Sequence, residues 1–350
     1  MILVVCLNPA LDITFSVPVV DWAGVNRPRS VEVRPGGKGV NVARTLLALG
    51  EEVLVAGLAG GANGAALTSG LASLGIPANL TPIAGETRRT FAVLDEGRRT
   101  AALFNEPGPP ISAAEFSEFL FSLEKVLTGC SAMVLSGSLP PGLPADTYAT
   151  LIRTAGATPL TPSSPPSPSS DPQNIPVVLD AHGEALRLGV AAGPAIIKPN
   201  LAELEELAGQ PLSLAGDGTG RPSVASAAAE LRSAGAEAVV VSLGPAGLYA
   251  DTAVGGWRVV PPPVDAPNPT GAGDAVLAGL TRGLVRDEPW PDRLRAAAAL
   301  GTASALAPVA GEFGRDDYQR VLAGVTINEV VAARYGSAGD AGRQGNGGAG

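Results

Sequence analysis

Short, fully apolar runs alternate along this chain with segments of helical length. The first run, 2–7, ends at Asn8 and Pro9, which is typical of a buried parallel strand. Alternation of this kind predicts an α/β fold, in which helices cover both faces of a parallel sheet. Ligands bind beyond the carboxyl ends of the strands in such sheets. The predicted strands are 2–7, 53–58, 132–135, 177–179, 195–197 and 238–241, and the predicted helices are 40–49, 116–127, 145–155, 201–208, 223–234, 273–284 and 294–307.

Four other segments alternate polar and apolar residues with a period of two. They are 12–17, 30–34, 90–94 and 99–104. This pattern is typical of strands with one exposed face, so we expect a small sheet separate from the main one. The last two segments flank Asp95-Glu96-Gly97 and should form a hairpin.

Composition narrows the functional classes. The net charge of −9 and a pI near 4.8 argue against a nucleic-acid partner. A bound anion therefore needs locally placed Arg and Lys side chains. No segment reads as a signal peptide or a membrane span, because the uncharged stretch 53–85 is broken by Gly and Pro. We expect a soluble, cytoplasmic protein whose two cysteines are buried free thiols.

Two segments are predicted to lie outside the fold. Residues 157–176 are rich in Pro, Ser and Thr, and this composition predicts a disordered surface insertion. Residues 331–350 form a Gly-rich tail with the same expectation. The folded domain is therefore predicted to span 1–330.

The segment 268–275, Asn-Pro-Thr-Gly-Ala-Gly-Asp-Ala, is the strongest candidate for chemistry. A turn that opens a helix leaves backbone N–H groups free to hold an anion, and Gly271 and Gly273 allow a close approach. Asp274 would then lie beside the anion, placed to accept a proton from an attacking group. The alternative is an ordinary helix start with Thr270 as its cap.

Other loops at predicted strand ends carry polar residues, each with a structural alternative. Asp12 could hold sugar hydroxyls or cap a turn. The turn 34–41 joins glycines to Lys38 and Asn41, as an anion and hydroxyl site or as a tight turn. Arg88 offers a guanidinium to a phosphate or to solvent. Asn200 and Glu203 form either a helix capping box or a site for hydrated Mg²⁺.

Taken together, these motifs resemble the ribokinase-like (PfkB-type) carbohydrate kinases. GGKGVNVAR (36–44) and PTGAGDAVLAG (269–279) are similar to the two signatures of that family. Five further motifs follow in the family's order: LNPALD (7–12), GETR (85–88), NEPGP (105–109), SGSLPPG (136–142) and IKPNLAELEEL (197–207). The resemblance is to the hexose-phosphate branch, which includes 1-phosphofructokinase and tagatose-6-phosphate kinase. One departure is Thr90, where close relatives commonly carry Asn.

The resemblance implies a three-layer α/β/α fold with a mainly parallel central sheet and a small β-sheet lid, which often pairs two subunits into a homodimer. It implies ATP-dependent phosphorylation of a hexose phosphate, with fructose 1-phosphate preferred and tagatose 6-phosphate, then fructose 6-phosphate, as alternatives. Asp274 would be the general base, and the amides of Gly271, Ala272 and Gly273 would stabilise the transferring phosphoryl group. A non-catalytic sugar-phosphate sensor is the alternative from another class.

The same resemblance implies two sets of ligand-binding residues. For ATP they are Lys198, Ser242, Gly244 and Gly247, with Asn200 and Glu203 organising Mg²⁺ through water. For the sugar phosphate they are Asp12, Gly36, Gly37, Asn41 and Ser138 around the sugar, and Lys38, Arg88 and Arg27 around its phosphate.

Overall fold

The computed structural model describes residues 1–98, 100–159, 174–214, 221–266, 270–307 and 309–330. Among these residues the main sheet has ten strands, in the order β14-β13-β12-β11-β10-β9-β8-β1-β4-β5. Its strands are β1 Ile2–Cys6, β4 Val53–Ala59, β5 Ala78–Pro82, β8 Ala132–Ser136, β9 Val177–Asp180, β10 Ile196–Ile197, β11 Ala238–Ser242, β12 Leu248–Thr252, β13 Gly255–Val260 and β14 Thr326–Val330.

Helices cover both faces of this sheet, as predicted. Alternate residues of β1 enter two separate cores: Ile2 and Val4 pack on one face, Leu3 and Val5 on the other. The first face carries α1 Lys38–Ala48, α2 Gly61–Ser73, α8 Ala272–Val285, α9 Trp290–Leu306 and α10 Arg315–Gly324, and the second carries α3 Ala113–Leu127, α4 Thr147–Gly156, α5 Gly183–Val190, α6 Leu201–Ala208 and α7 Val224–Ser233.

The predicted small sheet is confirmed. It contains β2 Ala10–Val17, β3 Ser30–Gly36, β6 Arg88–Asp95 and β7 Thr100–Asn105, in the order β3-β2-β6-β7. Strands β6 and β7 form the expected antiparallel hairpin, and β2 pairs with β6 in parallel. We call this sheet the lid.

Three antiparallel strands at one edge of the main sheet were not predicted. Strands β12 and β13 form a hairpin next to β11, and β14 pairs with β13. The predicted strand 238–241 corresponds to β11 alone, and no strand was predicted over 248–260. Helices α5 and α10 were also missed. Within the described residues, no helix combines the length and the apolar character that crossing a bilayer requires.

The ends of the predicted insertion are ordered, contrary to expectation. Pro159 pairs with Asn174 in an antiparallel bridge, and the backbone N–H of Ile175 donates to Thr158 O at 3.3 Å. Ile175 is buried at the start of β9 because it is the first apolar residue of that strand's core. Residues 160–173 and the predicted tail 331–350 lie outside the described residues.

Candidate active site

The predicted site residues lie mainly at the carboxyl edge of the main sheet. Helices α1 and α8 begin there, and they bring Lys38, Asn41 and Asp274 together with the residues that follow β9 and β10. The lid joins the same edge, because β1 continues through the loop 7–9 into β2. Most of the predicted sugar and nucleotide residues therefore lie along this edge of the sheet, which we call the cleft.

Asp274 is the buried acid at the centre of this cluster. It lies in the first turn of α8, is 6% exposed, and accepts a hydrogen bond of 2.9 Å from Asn41 Nδ2 to its Oδ2. Burial, followed by the negative charge of Asp180, raises the pKa of Asp274 to about 7, against the opposing effects of Asn41, Lys38 and Lys198. A carboxyl group with this pKa exchanges its proton readily near neutral pH.

The N-terminus of α8 forms an anion site beside Asp274. Gly271 is its N-cap, with φ of 83°, and as a glycine it has no side chain with which to cap the helix. The first N–H groups of a helix have no intrahelical acceptor, so they can bind an anion. The ammonium of Lys198 adds positive charge: its Nζ lies 3.6 Å from where a Cβ on Gly273 would be.

Asp180 is a central residue that the sequence analysis missed. Its carboxylate is 1% exposed, and it lies 3.5 Å from Lys198 Nζ and 3.6 Å from Lys38 Nζ. The sequence could have indicated Asp180, because an acidic residue at the carboxyl end of a buried strand is a candidate site residue. Asp12, which follows β1, was selected on that ground. The strand was recognised, but its last residue was not considered.

Lys38, predicted to bind the phosphate of the sugar, is surrounded by carboxylates. Its Nζ also lies 3.8 Å from Glu203 Oε1. Burial alone would lower the pKa of Lys38, but the charges of Asp180, Glu203 and Asp274 outweigh burial and raise it. Lys38 therefore stays charged and available to a phosphate.

Asn200 and Glu203 form the capping box of α6. Asn200 Oδ1 accepts from the Glu203 backbone N–H at 2.9 Å, and Glu203 Oε2 accepts from the Asn200 backbone N–H at 2.8 Å. The helix capping box, which was the alternative to a site for hydrated Mg²⁺, is therefore present. It uses only Oε2 of Glu203. Oε1 remains toward Lys38 and fits a water of hydrated Mg²⁺, which takes few direct protein ligands. The described residues contain no group of three or more acidic, His or Cys side chains arranged to hold a metal directly.

The sugar-side residues gather where the lid meets β1. Asp12 Oδ1 accepts a hydrogen bond of 2.5 Å from Thr90 Oγ1, and its carboxyl group lies over Gly36, where a Cβ would be 2.0 Å away. Burial raises the pKa of Asp12, although the hydrogen bond from Thr90 opposes this. Asn8 Nδ2 donates to Ser138 Oγ at 3.2 Å. Gly37, the residue after Gly36, has a φ of 100°, a backbone conformation that favours glycine.

The two predicted phosphate-binding arginines differ in their surroundings. Arg88 is anchored, with Nε donating to Asn8 O at 3.0 Å and Nη1 to Glu106 O at 3.1 Å. Arg27 lies in the exposed loop between β2 and β3, and no hydrogen bond or ion pair with a described residue ties it to the cluster. The structure thus brings Arg88 to the site but leaves Arg27 outside it.

The predicted nucleotide residues lie next to one another. The backbone N–H of Ser242 donates to Pro199 O at 2.9 Å, which joins the end of β11 to the loop that carries Lys198 and Asn200. Gly244 and Gly247 then turn the chain back into β12, with φ of 58° and 89°. This leaves backbone rather than side chains along the edge of the cleft.

Two cavities elsewhere in the molecule are lined by different residues. One of about 160 Å³ lies at the amino ends of β10 and β11, beside Trp290 and Arg293. The other, of about 400 Å³, lies between Pro262 and α10. Neither is lined by a residue of the Asp274 cluster.

Both the sequence and the fold are similar to those of known proteins. The model of the pfkB family carbohydrate kinases matches residues 3–313. Phosphofructokinase-2 from Escherichia coli, solved in complex with potassium, is 31% identical over 92% of this chain and 98% of its own, with a TM-score of 0.81. The same enzyme has been solved with fructose 6-phosphate and as a tetrameric inhibited form. A possible 1-phosphofructokinase from Thermotoga maritima has 24% identity over 94% of this chain and 99% of its own, and its TM-score of 0.77 shows a shared fold.

Proposed function

Because the chain belongs to the pfkB family of carbohydrate kinases, we propose that it transfers the γ-phosphoryl group of ATP to a hydroxyl of a hexose phosphate. The observation that carries this proposal is the position of a buried acid, Asp274, whose pKa is raised to about 7, in the first turn of a helix that begins at a glycine N-cap. The acid can accept the hydroxyl proton, and the N–H groups can stabilise the charge on the phosphoryl group.

The reaction then needs three things from this chain. Asp274 takes the proton of the sugar hydroxyl as its oxygen bonds to the γ-phosphorus. The bond from that phosphorus to the bridging oxygen breaks, and ADP leaves with the electron pair. The amides of Gly271, Ala272 and Gly273 stabilise the phosphoryl oxygens, and the lysines neutralise charge, because phosphoryl transfer depends mainly on positioning and electrostatics.

ATP and Mg²⁺ are the cofactors that this function requires. Mg²⁺, when bound, supplies neutralising charge to the phosphates. Asn200 and Glu203 would hold its water ligands, and Lys198 would contact the phosphates. Ser242, Gly244 and Gly247 would line the nucleotide along the backbone of the β11–β12 turn. The support is their adjacency at one edge of the cleft.

Fructose 1-phosphate is our first choice of acceptor, with tagatose 6-phosphate as an alternative. Fructose 6-phosphate has support of its own, since the Escherichia coli relative was solved with it. A coupled ADP-release assay with fructose 1-phosphate, tagatose 6-phosphate, fructose 6-phosphate and free fructose tests the choice. Phosphorylation of free fructose alone would contradict a requirement for a phosphorylated sugar, and binding without any ADP release would indicate a sensor.

Replacing Arg88 with Ala should raise KM for the sugar phosphate far more than KM for ATP, since its guanidinium lies where the lid meets β1. Steady-state kinetics with each substrate varied in turn provides the measurement. Arg89→Ala is the matched control, because Arg89 is an exposed neighbour paired with Glu106. Equal increases in both KM values would place Arg88 outside the substrate site.

The lid has one apolar face, which suits pairing with a second copy of the chain. Residues in register across its four strands alternate between two faces. One face carries polar residues such as Asp12 and Thr90. The other carries Val31, Val33, Ile13, Phe15, Phe91, Val93, Ala102 and Phe104, of which Val31, Val33 and Phe104 are more than half exposed. We therefore expect a homodimer that buries this face, because contact between an apolar patch and water is unfavourable.

Phe104→Asp should convert that dimer to a monomer in sedimentation velocity, because it places a charge on the apolar face. Leu103→Asp is the control: Leu103 is 56% exposed on the same strand, but it points to the opposite face. Dissociation by both variants, or by neither, would argue against this interface.

A further inference from the structure

Asp180 holds one lysine at each of its carboxylate oxygens. Lys198 Nζ lies 3.5 Å from Oδ1, and Lys38 Nζ lies 3.6 Å from Oδ2. The three residues come from different parts of the fold, since Asp180 ends β9, Lys38 opens α1, and Lys198 follows β10. Asp180 is thus the common anchor of both cations.

The geometry leaves these lysines free to bind something else. Both distances exceed the roughly 2.7–2.9 Å of a direct charge-assisted hydrogen bond. No described residue donates a hydrogen bond to Asp180 Oδ1, although this oxygen is fully buried. The ammonium groups are therefore oriented by charge while their N–H donors remain available to phosphate oxygens.

The two lysines border different parts of the cleft. Lys198 lies against Gly273 in the anion site of α8. Lys38 comes two residues after Gly36, which lies under Asp12 on the sugar side, and the Lys38 side chain is 40% exposed. One carboxylate consequently fixes a cation for each of the two phosphate-bearing substrates.

We propose that Asp180 is a positioning residue, whose carboxylate holds Lys38 and Lys198 so that the phosphates of the acceptor and the donor are neutralised side by side. The proposal rests on the proposed function, because it requires that both substrates carry phosphate. Without the anchor, two long and flexible side chains would have to be ordered each time a substrate binds.

Asp180 also acts on Asp274 through its charge. The charged groups that influence Asp274 are Asp180, Lys38 and Lys198, and Asn41 adds a hydrogen bond. A neighbouring negative charge disfavours ionisation of Asp274, so its removal should lower the pKa of Asp274. The acid limb of kcat/KM would then move to lower pH, a change that simple loss of packing would not produce.

The test compares Asp180→Asn with Asp251→Asn. Asp251 is also a buried carboxylate in the main sheet, 5% exposed and paired with Arg232 at 3.3 Å, but it lies near the amino end of β11. Asp180→Asn should weaken the binding of both ATP–Mg²⁺ and the hexose phosphate by about tenfold in separate calorimetric titrations. It should also move the acid limb down by about one pH unit. Asp251→Asn should change neither.

Two results would overturn the proposal. One is weaker binding of a single substrate, which would mean that Asp180 serves one lysine only. The other is an acid limb that stays in place while activity falls. If the wild-type protein releases no ADP with any sugar phosphate, the proposed function fails, and the titrations alone then decide whether Asp180 supports both binding sites.

Discussion

Asp274→Asn is expected to reduce kcat by about 10²- to 10⁴-fold, the usual contribution of a general base, while leaving the binding of ATP and sugar phosphate nearly unchanged. The amide has the shape of the carboxylate and can still form a hydrogen bond with Asn41, but it cannot accept the proton of the sugar hydroxyl. The loss should therefore fall on the chemical step and not on affinity.

Steady-state kinetics and calorimetric titration of each substrate separate these two effects. Turnover that stays within about tenfold of wild type would rule out Asp274 as the base. Weakened binding with unchanged kcat would instead make Asp274 a ligand-binding residue.

The pH dependence follows from the same residue. The pKa of Asp274 is raised to about 7, so the carboxylate becomes protonated, and unable to act as a base, as the pH falls through that value. We expect kcat/KM of the wild type to decline below about pH 7, and this decline should be absent in Asp274→Asn. An acid limb near the ordinary pKa of an aspartate would show that the buried environment is lost in solution.

Gly271→Ala should reduce turnover by about 10²-fold, comparable to the loss of a donor from an oxyanion hole. Gly271 has φ of 83°, and an added Cβ would lie 2.8 Å from Ala310 Cβ and 3.0 Å from Ala310 Cα. Backbone must move to relieve this contact, and the amides of the α8 N-terminus move with it. Substrate KM should change less than kcat, since the amides matter most for the transferring group.

Gly50→Ala separates this effect from backbone strain. Gly50 has φ of 84°, but nothing lies within 4 Å of its added Cβ. The same left-handed conformation should cost about 1–2 kcal/mol of stability there, measured by urea unfolding, with activity retained. Similar losses of turnover in both variants would mean that strain, and not the position of the amides, explains the Gly271 result.

The local pattern of polar and apolar residues predicted most of the fold. The period-two segments became the lid because one face of each strand is apolar and the other polar. The predicted helix 116–127 is α3, which begins three residues earlier, at Ala113, because Ser112 and Glu115 form a capping box there. The edge strands β12 to β14 were not predicted, because 248–260 was not examined for strands and β14 pairs with a strand about 70 residues earlier in the chain.

The candidate site was predicted less completely, for a physical reason. Sequence indicates which loops follow strands, but not which side chains face one another across them. The predicted contact of Asn41 with the sugar stays a prediction, and the hydrogen bond from Asn41 to Asp274 was not foreseen. Asp180 was not predicted, because the two lysines beside it are 142 and 18 residues away in the sequence and only the fold brings them together. The predicted roles in ATP, Mg²⁺ and sugar binding remain predictions.

Only a short stretch of chain joins the lid to the residue that is hydrogen-bonded to Asp274. Strand β3 ends at Gly36 and α1 begins at Lys38, so a single residue, Gly37, separates them. Asn41 then lies in the first turn of α1, bonded to Asp274. A displacement of β3 would therefore be passed through Gly37 directly to α1, and with it to the hydrogen bond between Asn41 and Asp274.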